Sequence, residues 1–152
     1  GIYHLINVMG NYQIDKKKVW KTPTTLVLEL FTKYHRGAIL KTNVKTNKFI
    51  SPKLGKQPSY KNNKTIDASA TSYKNEICLS VVNKSENKNI ELKSPYLNKI
   101  YRTFTINGES KTDLNSYEKN KNVQIKKNVL KYNLNKITLP PHSINLIIFK
   151  NC

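Results

Sequence analysis

The apolar residues of this chain change period at Gly37. Before it, Val27, Leu30, Phe31 and Tyr34 recur at three- and four-residue spacing and draw one stripe along a helix. After it, apolar and polar residues alternate in short runs, the two-residue period of strands with one covered face. No second helical stripe follows. A chain with one early helix and strands thereafter covers its apolar surface by laying sheet on sheet, so the expected fold is mainly β, an antiparallel β-sandwich.

The helix carries its own start signal. Thr22 is a good N-cap, and Pro23 falls at the first helical position, where a missing N–H costs nothing. Arg36 is expected in the last turn, with Gly37 closing the C-terminus. Upstream, IYHLINVM at 2–9 reads as a buried strand interrupted by His4 and Asn7 and broken by Gly10-Asn11. A polar loop with a basic run, Asp15 to Lys18, connects the two. Such a strand–helix pair is half of an α/β unit and cannot cover its own apolar faces. It must pack on the sandwich, pair with another chain or stay exposed. Residues 1–20 are therefore expected to pack poorly within this chain alone.

Downstream, AILKTNV, TIDASATSYK and EICLSVVNKS read as strands, the last with Ile77, Leu79 and Val81 on one face. Thr46 to Lys64 reads as a long polar loop, and Asn83 to Asn89 as a hairpin turn into NIELK. NKIYRTFTING sets Ile100, Arg102, Phe104 and Ile106 against Tyr101, Thr103 and Thr105, and ends on the turn dipeptide Asn107-Gly108. Residues 109–128 read as loop, and NVLKYNLNKITL as one or two ragged strands. Ser143 to Lys150 is a closing strand with Ile144, Leu146 and Ile148 alternating.

Charge bounds the partners. The chain has 152 residues and a formal net charge of +18. That balance favours polyanions: nucleic acid, an anionic membrane surface or an acidic polysaccharide. The basic residues are nearly all lysines dispersed among Asn and Ser, and Arg36 and Arg102 are the only arginines. Specific phosphate and base readers lean on arginine forks, so no specific nucleic-acid partner is expected and a solvated lysine-rich surface is the simpler reading. No apolar run approaches the ~20 residues that span a bilayer, so no membrane partner is expected either. Cys78 lies in a strand pattern and reads as a small buried hydrophobe; whether it pairs with Cys152 stays open. His4, His35 and His142 are isolated and show no metal-ligand spacing, so neither a metal nor a cofactor is expected. None of the nine acidic residues sits in a catalytic motif, and all read as surface charges.

Five pieces, in order, carry a family resemblance: HLINV at 4–8, WKTPT at 20–24, HRG at 35–37, VVNKS at 81–85 and LPPHSINLIIF at 139–149. Together they resemble the C-terminal part of the α-L-arabinofuranosidases of glycoside hydrolase family 51. In that family the last strand of a (β/α)8 barrel carries a Gln-(Leu/Met)-Val-Asn-Val type segment. A helix opening on a W…TP pattern follows, and then a jelly-roll-like sandwich. The resemblance covers essentially the whole chain. It implies that residues 1–36 are the last βα unit of a truncated catalytic barrel and residues 37–152 the C-terminal β-sandwich. The start at Gly1, which runs at once into an apolar segment, fits the tail of a larger enzyme.

The resemblance also implies a chemistry. The family consists of retaining glycosidases that use two glutamates on earlier barrel strands. No residue of this chain inherits either role, so no catalytic residue is expected. His4 occupies the slot where family members carry a glutamine that hydrogen-bonds arabinose; imidazole can donate and accept, but it departs from the pattern. Trp20 is a second candidate, as a sugar-stacking face at the rim of the cleft or as a plug between domains. The implied partners are an arabinose-containing oligo- or polysaccharide, reached through the parent enzyme, the remainder of the barrel, and further copies in a homo-oligomer. The compartment stays open between cytoplasmic and secreted. Two other classes fit the residues alone: a free-standing carbohydrate-binding or structural sandwich, with Tyr96, Tyr101 and Phe104 as an aromatic platform, and a basic polyanion-binding domain.

Overall fold

A computed structural model describes residues 5–7, 10–129 and 136–150. Among them the chain forms twelve strands and one α-helix. Strands β1 (Tyr12–Asp15) and β2 (Lys18–Lys21) make a hairpin ahead of helix α1 (Pro23–Tyr34). Then come β3 (Ala38–Leu40), β4 (Lys48–Ser51), β5 (Tyr60–Lys64), β6 (Ile66–Tyr73), β7 (Glu76–Asn83) and β8 (Ile90–Leu92). A single 3-10 turn, Leu97–Lys99, leads into β9 (Ile100–Asn107), followed by β10 (Gln124–Val129), β11 (Ile137–Leu139) and β12 (Ser143–Lys150). The principal sheet has six antiparallel strands in the order β10-β9-β12-β7-β6-β3. Three two-stranded sheets accompany it: β1-β2, β4-β5 and β11-β8.

Both faces of the principal sheet are covered. On the first face, Leu26 and Leu30 of α1 are buried with Cys78, Phe104, Ile106, Val123, Leu146 and Ile148. Tyr34 stacks on Phe104 with ring centroids 4.6 Å apart. On the second face, Val81, Ile147 and Phe149 are buried with Ile66, Leu97, Ile100 and Leu139. There β8 and β11 form the opposing layer through Ile90, Leu92 and Ile137. The whole is mainly β, antiparallel, with one short helix as an outer layer.

The helix begins as its residues dictate. The Thr22 hydroxyl accepts from the Thr25 N–H at 3.4 Å, and Pro23 opens the first turn. It ends at Tyr34, two residues short of the expected Arg36: His35 is the C-cap and Arg36 lies outside. Gly37 then takes φ +90° beside β6, where a Cβ would sit 2.1 Å from the Ser72 carbonyl oxygen. Only glycine fits there. The apolar face of α1, which needs a partner, finds it on the principal sheet.

Strands β6, β7, β9 and β12 stand where alternation puts them, but other readings change. The basic run Asp15 to Lys18 is a tight turn between paired strands rather than a loop, with Lys16 at φ +49°. The loop expected over Thr46 to Lys64 contains the β4-β5 hairpin, and the loop expected over 109–128 contains the start of β10. NIELK does not fold back on β7; β8 pairs with β11 instead. The single alternating face expected of β12 is two covered faces, since Asn145, Ile147 and Phe149 are as buried as Leu146 and Ile148. A register shift between Ile148 and Phe149 turns Ile100 to the second face, away from Phe104 and Ile106. The expected strand at 2–9 and the ragged stretch at 130–135 lie largely outside the described residues.

Candidate functional site

Of the two residues singled out in the sequence, His4 lies outside the described residues, as does Cys152. Trp20 is half-buried on β2 opposite Gln13. Its indole N–H donates to the Asn115 carbonyl at 2.9 Å, and its ring meets Tyr117 edge to face at 6.2 Å. The Lys18 ammonium sits 4.1 Å from the centre of the same Tyr117 ring.

Asn115 joins these pieces. It is buried, and its amide donates to the Lys21 carbonyl at 2.9 Å and the Val123 carbonyl at 3.0 Å. Its Oδ1 accepts from the Val123 N–H at 2.7 Å. One side chain thus ties the β1-β2 hairpin to the loop ahead of β10. The Asn11 carbonyl ties the same hairpin to the helix, accepting from the Thr22 N–H and hydroxyl, each at 3.0 Å, and from the Thr25 hydroxyl. Nothing in the 109–122 stretch marks Asn115 among its polar neighbours, so sequence reading misses it. The opposite face of the hairpin exposes Ile14 directly across from Val19.

Beside this clasp a groove of about 410 Å³ runs from the first turns of α1 to the end of β9 and the start of β12. Val27, Leu28, Ile106, Val123 and Ile144 make much of its wall. Its polar rim is already engaged. Asp113 Oδ2 accepts from the Glu109 N–H at 2.7 Å and the Ser110 N–H at 3.1 Å. Lys111 pairs with Glu86. The His142 ring nitrogens face the Glu86 and Gly108 carbonyls at 3.1 and 3.2 Å.

The carboxylates are dispersed. Glu29 pairs with Lys21, Asp67 with Lys84 and Glu91 with Lys136. Lys111 and Lys136 hold the carboxyls of Glu86 and Glu91 below the usual range, through a hydrogen bond first and charge second. Glu118 accepts from the Ser116 hydroxyl at 3.1 Å. Cys78 is a free buried thiol, which burial pushes up to about 12. Among the described residues no three His, Cys, Asp or Glu side chains gather as a metal site. Of the suggested aromatic platform, Phe104 is core beneath α1, Tyr96 is exposed, and the Tyr101 side chain is outside the description.

Comparison with known proteins places this architecture. Residues 3–143 match the family model described as alpha-L-arabinofuranosidase C-terminal domain. The thermostable GH51 α-L-arabinofuranosidase of Thermotoga petrophila is similar over 96% of this chain, with a TM-score of 0.79 and 19% identity. The α-L-arabinofuranosidase of Thermotoga maritima, solved as an arabinose complex, is similar over 97%, with a TM-score of 0.81 and 20% identity. A family 51 α-L-arabinofuranosidase of Bifidobacterium longum is similar over 98%, with a TM-score of 0.80 and 18% identity. The match covers 32%, 33% and 29% of those three chains, so this chain spans about a third of their length. No curated protein matches. At such identities the structural likeness speaks for the fold alone. The family match covers nearly the whole sequence, and the chain belongs to the α-L-arabinofuranosidase C-terminal domain family.

Proposed function

We propose that this chain is the C-terminal part of a retaining α-L-arabinofuranosidase, accessory to catalysis and inactive alone. The parent enzyme would remove terminal non-reducing α-L-arabinofuranosyl residues from oligo- or polysaccharides. The family match over residues 3–143 carries this reading, together with the share of the family 51 structures that the chain spans. Retaining hydrolysis needs two carboxyl groups about 5–5.5 Å apart, one as nucleophile and one as acid/base. The acids that the structure describes in detail serve lysines, a turn and a serine hydroxyl instead. In this reading residues 1–36 are the last βα unit beside the catalytic barrel, with α1 docked through Leu26 and Leu30 on the sandwich, and residues 37–152 form that sandwich. His4 would sit at a barrel strand end, where sugar contacts belong. Trp20, with its N–H committed to Asn115, would brace the junction rather than bind sugar.

The test is release of p-nitrophenol from p-nitrophenyl α-L-arabinofuranoside. The chain alone is expected to give no turnover, and the longer protein containing the barrel is expected to release arabinose. Turnover by the chain alone would overturn the accessory role. A longer protein with two strand-end glutamates that leaves arabinofuranosides intact would overturn the substrate assignment.

A further inference from the structure

The charge of this chain is not evenly spread. Residues 41–65 hold seven lysines (Lys41, Lys45, Lys48, Lys53, Lys56, Lys61 and Lys64) and no carboxylate. One sixth of the chain thus carries seven of its eighteen net positive charges. All seven are exposed. Lys21, Lys84, Lys111 and Lys136, which pair with Glu29, Asp67, Glu86 and Glu91, all lie outside this segment. The segment folds as the β4-β5 hairpin, outside the principal sheet. The Asn47 carbonyl closes its base, accepting from the Thr65 N–H and hydroxyl at 2.9 Å each.

Within the hairpin Lys48 lies directly across from Lys64. Residues directly opposite share a face, and two like charges there repel. A bound anion between them would turn that repulsion into attraction. Around the lysines the segment supplies exposed amides, among them Asn43, Asn47, Gln57 and Asn62. These are the donors and acceptors that sugar hydroxyls take. Tyr60 is 52% exposed and offers a ring face for stacking.

We propose that the β4-β5 hairpin is a binding surface for a carboxylate-bearing polysaccharide, one whose backbone or side chains contain uronate units. Three classes of polyanion compete, and the residues discriminate among them. Phosphate and base recognition favours the planar arginine fork, and this segment contains no arginine. An interfacial membrane anchor needs a contiguous apolar face beside its lysines, whereas the exposed Phe49 and Ile50 are parted from Leu54 by Ser51, Pro52 and Lys53, and the Lys84 ammonium sits 5.9 Å from the centre of the Phe49 ring. Lysine point charges on an amide-rich strand pair suit carboxylates spaced along a hydroxylated polymer. The inference does not rest on the hydrolase reading, and either can fail without the other.

The probe is polygalacturonate, titrated into the full chain at ~10 mM ionic strength, where exposed charges are least screened. Neutral arabinan, duplex DNA and phosphatidylserine vesicles serve as comparators. Two triple variants remove the same charge: K48Q/K61Q/K64Q on the hairpin and K17Q/K119Q/K127Q elsewhere on the surface. The proposal expects polygalacturonate binding that weakens with salt, falls about tenfold in the hairpin variant and stays within about twofold in the control. Circular dichroism confirms that both variants are folded. Absence of binding, an equal fall in both variants, or tighter binding to DNA or vesicles would each overturn it.

Discussion

Asn83, at the end of β7, is 1% exposed and works as a polar rivet between distant segments. Its amide donates to the carbonyls of Pro140 at 2.8 Å, Lys88 at 3.1 Å and Leu139 at 3.2 Å. Its Oδ1 accepts from the Ser85 N–H at 3.0 Å. The turn after β7 and the segment joining β11 to β12 therefore hang on one side chain. Replacing it by alanine removes one acceptor and two N–H donors shared among three carbonyls. At about 1 kcal/mol net per hydrogen bond, three effective bonds amount to about 3 kcal/mol. The Pro140 carbonyl keeps the Ser143 hydroxyl at 2.6 Å, which limits the loss. Three kcal/mol is a large share of the ~5–15 kcal/mol that stabilises a domain. Asn83→Ala should therefore lower the urea midpoint by about 1–3 M, given a slope of about 1–3 kcal/mol/M. Asn83→Asp keeps the shape and the Ser85 contact but turns a charge toward three carbonyl oxygens. It should destabilise at least as much at neutral pH and regain part of the loss as acid restores a donor proton. A cost below about 1 kcal/mol for Asn83→Ala, or wild-type stability for Asn83→Asp, would refute the rivet.

Two further outcomes follow from the core. Leu30→Ala should cost about 2–5 kcal/mol in urea unfolding, because Leu30 is buried where α1 meets the principal sheet. A loss below about 0.5 kcal/mol, the scale of a surface change, would mean that the helix is not docked on that sheet. Cys78 makes stability depend on pH at the alkaline end. Its folded value is about 12 against an ordinary 9.0, so the stabilising difference is whole below pH 9 and is lost as pH rises toward 12. Stability measured across that window should fall less steeply in Cys78→Ala than in the parent chain, and equal slopes would contradict the burial argument.

Legibility in the sequence followed locality. Thr22, Pro23 and the Val27–Leu30–Phe31–Tyr34 stripe specify α1, because caps and helical periodicity are written within one short segment. Strand β10 escaped because QIKKNV directs little more than Ile125 toward the core. Strands β4 and β5 escaped for a related reason: they lie outside the two cores and have no apolar face to alternate. The turn at Asp15 to Lys18 contains neither glycine nor asparagine, so its chemistry hides it. In the candidate site, Trp20 was visible as the single tryptophan, whereas Asn115 was one asparagine among many.

The sequence by itself determined the class of the fold, the single helix with its start, the long strands and the order of motifs that marks the family. It also determined the unbalanced charge of residues 41–65. Tertiary structure decided which strands meet. Strand β8 joins β11 across forty-odd residues of chain rather than folding back on β7, and the choice rests on hydrogen bonds and burial that no local pattern records. It decided as well that β12 is covered on both faces. A strand buried on one side announces that side by alternation, but one buried on both announces only that it is apolar. The partners that cover it, a helix on one face and a small sheet on the other, come from distant parts of the chain and are brought together only by folding.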